Sequence, residues 1–320
     1  MRGGSVRPVS DGVPTTEEEG CRAARLVLGG HSWDLTRQAV VMGILNRTPD
    51  SFFDKGAYWD FDRFLARADR LVAEGADILD VGGVRAGPGE EVTPEEELSR
   101  VVPAVEALRR RFDTPVSVDT WRAEVVQACF EAGAVLGNDI SGFADPGYLP
   151  AAAAAGAGVV ATHIRLGPRI PDPDPHYDDV VETVRRRLGE LARKAVAAGI
   201  PAESVIVDAG LDLGKTAAHS LTLLRASDRL ASLGHPLLLS ASNKRFLWEL
   251  LGVDVHSAQR GTNAAHALGV ALGCRIVRAH DVKAARRVVD TVMAIITADE
   301  AADDESRSAG AATGGGRRSS

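Results

Sequence analysis

Length, composition and charge narrow the class of protein before any motif is considered. The chain has 320 residues, enough for one large barrel or two smaller domains, and its 45% hydrophobic and 25% charged residues are ordinary for a soluble globular protein. Its formal net charge is −7 without a dense basic block in the body, which argues against nucleic acid as the main partner because phosphate backbones are bound by clustered Lys and Arg.

The N-terminal stretch, residues 1–22, is polar and rich in Gly, Ser, Thr and Glu, so we predict a disordered leader. It lacks the charged-then-apolar pattern of a secretion signal, and no apolar run in the chain approaches membrane-spanning length. The three cysteines Cys21, Cys129 and Cys274 are far apart and form no CxxC pair. These features predict a cytoplasmic protein in a reducing compartment, with no membrane partner.

A small hairpin is predicted over Ala23–Arg37, with Gly29-Gly30 near its turn. Its expected role is to plug one end of the domain that follows. The last residues, 298–320, are acidic and then rich in Gly and Ser, so they are predicted to form a disordered tail. Residues 23–297 are therefore predicted to form a single domain.

Apolar runs that alternate with helical patterns make up this domain. The first run, Val40–Leu45, is nearly unbroken, as expected for a parallel strand that is covered on both faces. A helix with one apolar face is predicted after it, over Phe61–Gly75. The other seven predicted strands are Ala76–Gly83, Pro115–Thr120, Ala134–Ser141, Gly158–Ile164, Ser204–Gly210, Pro236–Ser242 and Cys274–Asp281.

Eight strands that alternate with helices predict an α/β fold with a parallel sheet, because each parallel crossover needs a helix. Eight repeats also fit a (β/α)₈ TIM barrel, which typically needs about 250 residues. A doubly wound open sheet is the alternative. It usually has fewer strands, and no GxGxxG motif opens the first helix of this chain.

Polar side chains follow each predicted strand, at the end where barrel enzymes carry their active sites. The first strand stops at Asn46-Arg47-Thr48-Pro49-Asp50-Ser51, which by itself is also typical of an ordinary polar loop. The recurrence of polar strand ends favours a site, and a buried carboxylate without a partner is costly. The candidates are Asn46, Asp50, Arg85, Asp119, Asn138, Asp139, His163, Asp208, Ser242, Lys244, Arg278, His280 and Asp281.

The residue types in this set indicate the kind of ligand. Two carboxylates, an amide and a lysine suit a flat heterocycle with several N–H donors and a carbonyl, because carboxylates accept paired N–H bonds and Lys donates to ring nitrogen or oxygen. Arg278, His280 and Asn46 are two cationic or potentially cationic groups and an amide. They suit a phosphate-like leaving group, with Mg²⁺ as a candidate cofactor.

Two other sequence features resemble functional motifs, but each gives only weak evidence for a binding site. Residues 210–216 (GLDLGKT) resemble a phosphate-binding P-loop, but three residues instead of four separate the glycines, which argues against nucleotide binding. His163 is a possible metal ligand, but no second His or Cys is placed to help it. A positioned histidine at a strand end is the favoured interpretation.

Several segments resemble the dihydropteroate synthase family in the order expected for it. They are MGILNRTPDSFFDKG, GADILDVGG, SVDTWR, GNDIS, DAGLDLGK, SNK, and GT followed by RAHDV, between about Val40 and Val289. The resemblance implies a single pterin-binding TIM-barrel domain and a homodimer. It also implies a reaction in which a dihydropterin methylene pyrophosphate loses pyrophosphate to the amine of p-aminobenzoate.

The resemblance further implies roles for individual residues. Asp119, Asn138, Asp208 and Lys244 hold the pterin, and Asp119 stabilises a cationic pterin–CH₂ intermediate. Asn46, Arg278 and His280 hold pyrophosphate and Mg²⁺, with Asn46 as the metal ligand. Phe52 and Asp54 belong to a first loop that closes over the site, and Ser242 lies beside the aminobenzoate pocket. The catalytic roles fall to Asp119, Lys244 and Asp54.

Departures from the family pattern leave two functional hypotheses open. Where the family has Glu-Ser-Thr-Arg-Pro-Gly, this chain has Val84-Arg85-Ala86-Gly87-Pro88-Gly89. Asn243, Ala209, Asp212 and Arg47 are further changes. The first hypothesis is a dihydropteroate synthase; the second is a divergent relative that binds pterin with weak or no synthase activity, or uses another acceptor. A folate-dependent methyltransferase fits less well, because the first loop and the Arg-x-His pattern favour pyrophosphate loss.

Overall fold

Eight parallel strands close into a barrel in the order β10-β3-β4-β5-β6-β7-β8-β9, which confirms the predicted TIM barrel. The structure is a computed structural model that describes residues 22–47, 60–87 and 89–298. The predicted leader and tail fall almost entirely outside these ranges. The barrel strands are β3 (Val40–Asn46), β4 (Ile78–Gly82), β5 (Val116–Asp119), β6 (Leu136–Asp139), β7 (Gly158–Thr162), β8 (Val205–Asp208), β9 (Leu237–Leu239) and β10 (Ile276–Ala279).

Helices cover the outside of the barrel. Their ends follow local chemistry: before the second helix, Thr93 accepts a hydrogen bond from the Glu96 backbone N–H, and Pro94 takes the first helical position. The helices are α1 (Phe61–Ala73), α2 (Pro94–Arg111), α3 (Ala123–Glu131), α4 (Tyr148–Ala154), α5 (Val180–Ala197), α6 (Ala217–Arg225), α7 (Ser227–Ala231), α8 (Arg245–Leu251), α9 (Gln259–Ala271) and α10 (Val282–Ile296). No helix among the described residues is long and apolar enough to cross a membrane.

The predicted hairpin forms and lies across the N-terminal end of the barrel. Strands β1 (Arg25–Leu28) and β2 (His31–Asp34) pair antiparallel. The turn places Gly29 and Gly30 at φ +53° and +86°, a region that favours glycine. Its apolar side chains form one cluster with inward-facing barrel residues; the cluster contains Leu26, Leu28, Trp33, Leu35, Val40, Met42, Ile78, Leu136, Val160, Ile206, Leu238 and Ile276.

Strand register brings polar side chains into one row at the opposite end of the barrel. Asn46 of β3 pairs with Gly82 of β4, Gly82 pairs with Asp119 of β5, and Asp119 pairs with Asn138 of β6. Gly82 is needed in this row, because an added Cβ would lie 3.2 Å from the Asn46 Oδ1 atom and 3.6 Å from the Asp119 Cβ. The register therefore lets Asn46 and Asp119 approach each other across β4.

The hairpin cluster predicts a large stability cost for truncating Leu28, whose side chain is 1% exposed. Leu28→Ala is expected to lower the free energy of unfolding by about 2–5 kcal/mol, because it leaves a cavity between hairpin and barrel. Denaturant titration measures it. The control is Val196→Ala on α5, where the side chain is 41% exposed and the expected change is within about 0.5 kcal/mol. Equal losses of unfolding free energy in the two variants would contradict the role of the hairpin as a plug of the barrel.

Candidate active site

Most of the predicted site residues that the structure describes line one cavity of about 610 Å³ at the C-terminal ends of the barrel strands. The candidates Asp139, His163 and Asp281 do not line it: Asp139 accepts from the Phe143 N–H at 2.7 Å, and Asp281 accepts from the Ala284 N–H at 2.9 Å at the start of α10. Asp50, Phe52 and Asp54, predicted for the first loop, lie outside the described residues. The second loop contributes Val84 and Arg85 to the wall, and α8 adds Trp248. The predicted residues that the cavity brings together are Asn46, Asp119, Asn138, Asp208, Ser242, Lys244, Arg278 and His280.

Arg278 links two carboxylates at the centre of this cavity. Its Nε donates to the Asp80 Oδ2 atom at 2.6 Å, and one of its terminal nitrogens donates to the Asp119 Oδ2 atom at 2.8 Å. The Arg278 and Asp119 side chains are each 15% exposed, whereas Asp80 is fully buried. The guanidinium is therefore held in one orientation by charge-assisted bonds on two sides.

Asp80 is a site residue that the sequence analysis missed. Besides Arg278, its carboxylate accepts from the Ser117 hydroxyl at 2.6 Å and from the Asn138 amide at 3.1 Å. Asp80 therefore accepts hydrogen bonds from both Asn138 and Arg278, two residues that the sequence analysis predicted. The available signal was a carboxylate within the apolar strand ILDVG, since a buried charge needs partners.

The pKa of the Asp119 carboxyl is shifted towards neutral pH, and this shift affects the chemistry that the group can perform. Burial raises the pKa of Asp119 to about 7; the Arg278 guanidinium opposes this rise, while Asp80, Glu97 and Asp139 add to it. The group therefore changes charge near neutral pH. A carboxylate of this kind can stabilise a neighbouring cation once it is ionised.

Asp208 and Lys244 form the other side of the predicted heterocycle site. Burial raises the pKa of Asp208, and the Lys244 ammonium opposes the rise. Burial lowers the pKa of Lys244, and Asp208 and Asp212 oppose that change. The Lys244 Nζ donates to the Leu211 carbonyl at 2.6 Å, and Asp208 accepts from the Gly210 N–H at 2.8 Å. Both groups are thus anchored by the loop after β8.

Lys215, in the sequence that resembles a P-loop, stabilises the loop after β8 through buried hydrogen bonds. The Lys215 side chain is 3% exposed, and its Nζ donates to the carbonyls of Gly210 at 2.9 Å, Leu213 at 3.0 Å and His163 at 3.2 Å. The His163 Nδ1 lies 2.9 Å from the same Nζ. The ammonium therefore binds protein groups, and neither Lys215 nor His163 lines the main cavity.

Asp212 has a structural partner that its sequence position did not indicate. One carboxylate oxygen accepts from the Phe246 N–H at 3.3 Å, in the first turn of α8, and the other accepts from the Ser220 hydroxyl at 3.4 Å. The charge lies at the positive end of α8, where a carboxylate is favourable. Asp212 thus links the loop after β8 to the helix that follows Lys244.

The first and second loops are anchored to α2. Arg47 donates to the Arg100 carbonyl at 2.7 Å, and its guanidinium lies 4.8 Å from the centre of the Phe61 ring. Arg100 in turn donates to the Gly83 carbonyl at 2.7 Å. The next residue, Val84, is 7% exposed on the cavity side. The second loop therefore begins with an apolar wall where the family pattern has a carboxylate.

Asn46 is compatible with the predicted magnesium role, although the described residues contain no group of three or more His, Cys, Asp or Glu that could hold a metal. Mg²⁺ is commonly bound by one or two protein oxygens together with substrate phosphates and water. Asn46 provides an amide oxygen on the cavity wall, across Gly82 from Asp119. This donor set fits an ion that arrives with a pyrophosphate.

Comparison with known proteins agrees with the geometry. Residues 42–280 match the family model described as pterin binding enzyme. The chain is 46% identical over 264 residues to the inactive dihydropteroate synthase 2 of Mycobacterium leprae, with 80% of this chain and 90% of that protein covered. It is 37% identical over 261 residues to the dihydropteroate synthase of Bacillus subtilis, with 81% and 89% covered.

Solved structures give the same result. The crystal structure of Yersinia pestis dihydropteroate synthase with a sulfonamide drug complex superposes with a TM-score of 0.82 at 39% identity, covering 86% of this chain and 99% of that one. The resemblance found in the sequence motifs is confirmed over the whole barrel. The chain belongs to the pterin-binding enzyme family that includes the dihydropteroate synthases.

Proposed function

We propose that the chain is a dihydropteroate synthase. It condenses 6-hydroxymethyl-7,8-dihydropterin pyrophosphate with p-aminobenzoate to give 7,8-dihydropteroate and pyrophosphate, a transferase step in folate biosynthesis. The observation that carries the proposal is the single cavity lined by Asn46, Asp119, Asn138, Asp208, Ser242, Lys244, Arg278 and His280.

The pterin half of the cavity supports this substrate. Asp208 offers carboxylate oxygens to the paired N–H groups of the heterocycle, and Asn138 offers an amide that can both donate and accept. Lys244 donates to ring nitrogen or to the carbonyl. Asn138 and Asp208 lie at the ends of β6 and β8, and Lys244 directly precedes α8, so the groups that face the ring are held by elements of the barrel.

In the other half of the cavity, the pyrophosphate leaving group separates from the methylene carbon of the pterin. The bond between the methylene carbon and the pyrophosphate oxygen breaks, the amine nitrogen of p-aminobenzoate bonds to that carbon, and the amine proton passes to solvent. Arg278 and His280 bind the departing oxygens, and Asn46 would hold Mg²⁺. When bound, Mg²⁺ neutralises charge on the leaving pyrophosphate.

Asp119 acts on the carbon side of the same step. As the leaving group departs, positive charge develops on the pterin–CH₂ unit, and an ionised Asp119 nearby lowers the energy of that charge. Arg278 fixes the carboxylate in place through a 2.8 Å hydrogen bond. The role requires the charged form of Asp119, so it depends on pH.

A second candidate is a divergent protein that binds the pterin but turns over weakly, not at all, or with another acceptor. The altered second loop favours it, because Val84 gives the cavity wall an apolar side chain and the family's Thr-Arg pair is replaced by Ala86 and Gly87. The 46% identity to a relative named as inactive also favours it. Arg85 lines the cavity and is the residue that can replace the missing arginine.

Assembly and location are also proposals. We expect a homodimer in the cytoplasm. Exposed apolar side chains on adjacent helices support an interface there: Leu268 on α9 is 45% exposed, and Ile295 on α10 is 68% exposed.

Turnover measured against pH tests the synthase. With dihydropterin pyrophosphate, p-aminobenzoate and Mg²⁺, the chain should release pyrophosphate and dihydropteroate in equal amounts. The rate should rise with pH and level off above about 7, because the pKa of Asp119 lies at about 7 and the charged form is active. Asp119→Asn should reduce the rate by about 100-fold or more, with circular dichroism confirming the fold.

The other outcomes of this assay separate the two candidates. Neither product, with pterin binding intact by calorimetry, would support the divergent protein. Pyrophosphate without dihydropteroate would place the defect in the acceptor site. Near-normal turnover of Asp119→Asn would contradict the electrostatic role of Asp119.

Restoring the family's second loop tests the cause of weak turnover. The triple variant Arg85→Ser, Ala86→Thr, Gly87→Arg recreates Ser-Thr-Arg before Pro88. It should raise dihydropteroate formation by about 10- to 100-fold if one charge-assisted bond to the acceptor is regained. Pterin affinity, measured by calorimetry, is the control and should stay constant. An unchanged rate would show that the second loop is not the limiting defect.

A double-mutant cycle tests the coupling of Asp80 to Arg278. Asp80→Asn keeps the oxygen that faces Ser117 but loses the charge that faces Arg278, so the free energy of unfolding should fall by about 1.5–3 kcal/mol. In an Arg278→Met background the same change should cost under about 0.5 kcal/mol. Equal costs in the two backgrounds would show that Asp80 acts independently of Arg278.

A further inference from the structure

A second cavity of about 450 Å³, here called the outer cavity, lies against the active-site cavity. Small-molecule sites are clefts of about 300–1,000 Å³, so the outer cavity is large enough to hold part of a ligand. Its described lining contains none of the residues proposed to bind the pterin. The lining residues that the two cavities share are Ala86 and Gly87 of the second loop, Asp212 and Leu213 of the loop after β8, and Arg245 at the start of α8.

Little side-chain bulk separates the two cavities at the second loop. Gly87 has no side chain and Ala86 has one methyl group, and these are the positions at which the chain departs from the family's Thr-Arg pair. An added Cβ at Gly87 would meet the Arg85 Nε at 3.5 Å, which is an ordinary contact. Among the described residues the border is therefore low, and a ligand in the active-site cavity can extend across it.

The loop after β7 gives the outer cavity an apolar wall. Leu166 and Ile170 line it although their side chains are 51% and 57% exposed. Ile164, Pro171 and Pro173 of the same loop line it as well. Grouped apolar side chains of this kind are stabilised when a ligand covers them. The middle of a ligand in the outer cavity is therefore expected to be apolar.

The carboxylates and the lysine that line the outer cavity are bonded within the protein. Arg165 donates to Asp172 at 2.6 Å, and Asp212 accepts from the Phe246 N–H. The Lys215 ammonium donates to three backbone carbonyls. These charges are therefore already matched by protein groups.

The two arginines that line the outer cavity have weaker partners. Arg169 donates to the Glu90 backbone carbonyl, and Arg245 pairs with Glu249 at 3.1 Å in an exposed pair along α8. Exposed pairs contribute little to stability, so both guanidiniums can bind a ligand carboxylate. Arg245 lines both cavities, whereas Arg169 lines the outer cavity and not the active-site cavity.

We propose that the outer cavity is an acceptor subsite for aromatic amines whose ring carries, opposite the amine, an apolar chain that ends in a carboxylate. The ring lies in the active-site cavity, the chain crosses Ala86 and Gly87, and the carboxylate bonds to Arg169. This assignment rests on the proposed function for the aromatic amine. The transfer step is the same: the amine nitrogen bonds to the methylene carbon, the bond to the pyrophosphate oxygen breaks, and the amine proton passes to solvent.

Calorimetry of the full chain with two amines tests the subsite without any turnover. The probes are p-aminobenzoate, whose carboxylate is attached directly to the ring, and 4-(4-aminophenyl)butanoate, whose carboxylate ends an apolar chain. The butanoate should bind about 10-fold more tightly, which corresponds to one charge-assisted hydrogen bond. Arg169→Gln should remove this preference. Equal affinities for the two amines in the unaltered chain, or binding of neither, would overturn the proposal.

Two substitutions at Ile170 test the position of the carboxylate. The Ile170 side chain is largely exposed, so both variants should fold, which circular dichroism checks. Ile170→Asp should bind the butanoate about 10-fold more weakly than Ile170→Lys, because the introduced charges repel and attract the carboxylate respectively. Val196→Asp, on the exposed face of α5, is the control and should keep the affinity of the unaltered chain. Equal butanoate affinities in the two Ile170 variants would contradict the subsite.

Turnover separates the subsite from the synthase assignment. If the butanoate binds more tightly but neither amine gives a product in the presence of dihydropterin pyrophosphate and Mg²⁺, the synthase assignment fails and the subsite stands. If p-aminobenzoate is converted to dihydropteroate while the butanoate binds no more tightly, the subsite is wrong and the synthase assignment stands.

Discussion

Arg278 lies between two buried carboxylates, and the arrangement of the other site residues depends on this contact. Asp80 would be costly in the barrel interior without the guanidinium at 2.6 Å, and it is through Asp80 that the Asn138 amide is oriented. Asp119 is held at the cavity wall by the same guanidinium. One cation thus sets the positions of three residues that come from strands β4, β5 and β6.

The cluster also has an unequal charge balance. One guanidinium faces two carboxylates, so the group gains a net negative charge when Asp119 ionises. That excess suits the proposed pterin–CH₂ cation, but it opposes the pyrophosphate that is proposed to bind next to Arg278. Because His280 is neutral, it adds no positive charge beside the proposed leaving group. This balance is a physical reason for a divalent cation to accompany the pyrophosphate.

The features that were predictable from sequence are those fixed by burial and periodicity. Strands covered on both faces must be apolar, so the eight runs and their polar ends stood out, and Asp119, Asn138 and Asp208 were found there. Asp80 was missed because it lies inside such a run, where its partners Ser117 and Arg278 come from other strands. The neutral state of His280 was equally hidden, since it arises from burial and from cations on other elements.

Some charged residues that look functional in the sequence instead stabilise the fold. Asp212 contacts the N-terminal end of α8, Arg47 bonds to α2, and the Lys215 ammonium holds the loop after β8 through three carbonyls. Asp212 and Arg47 bond to backbone groups on other elements, and Lys215 bonds to the His163 carbonyl after β7 as well as to carbonyls of its own loop. Sequence spacing does not predict partners on other elements. The sequence therefore argued against nucleotide binding at residues 210–216 but did not explain the role of Lys215.

The two halves of the cavity differ in how they tolerate sequence change. The proposed pterin half is built from strand ends and from side chains that bond to each other, so replacing one residue disturbs several others. The proposed acceptor half depends on the second loop, where Ala86 and Gly87 have no comparable network within the described residues. Loops change with little effect on the barrel. A lineage can therefore lose acceptor binding while the pterin half stays intact, and weak turnover with preserved pterin affinity is the form in which divergence of this fold is expected.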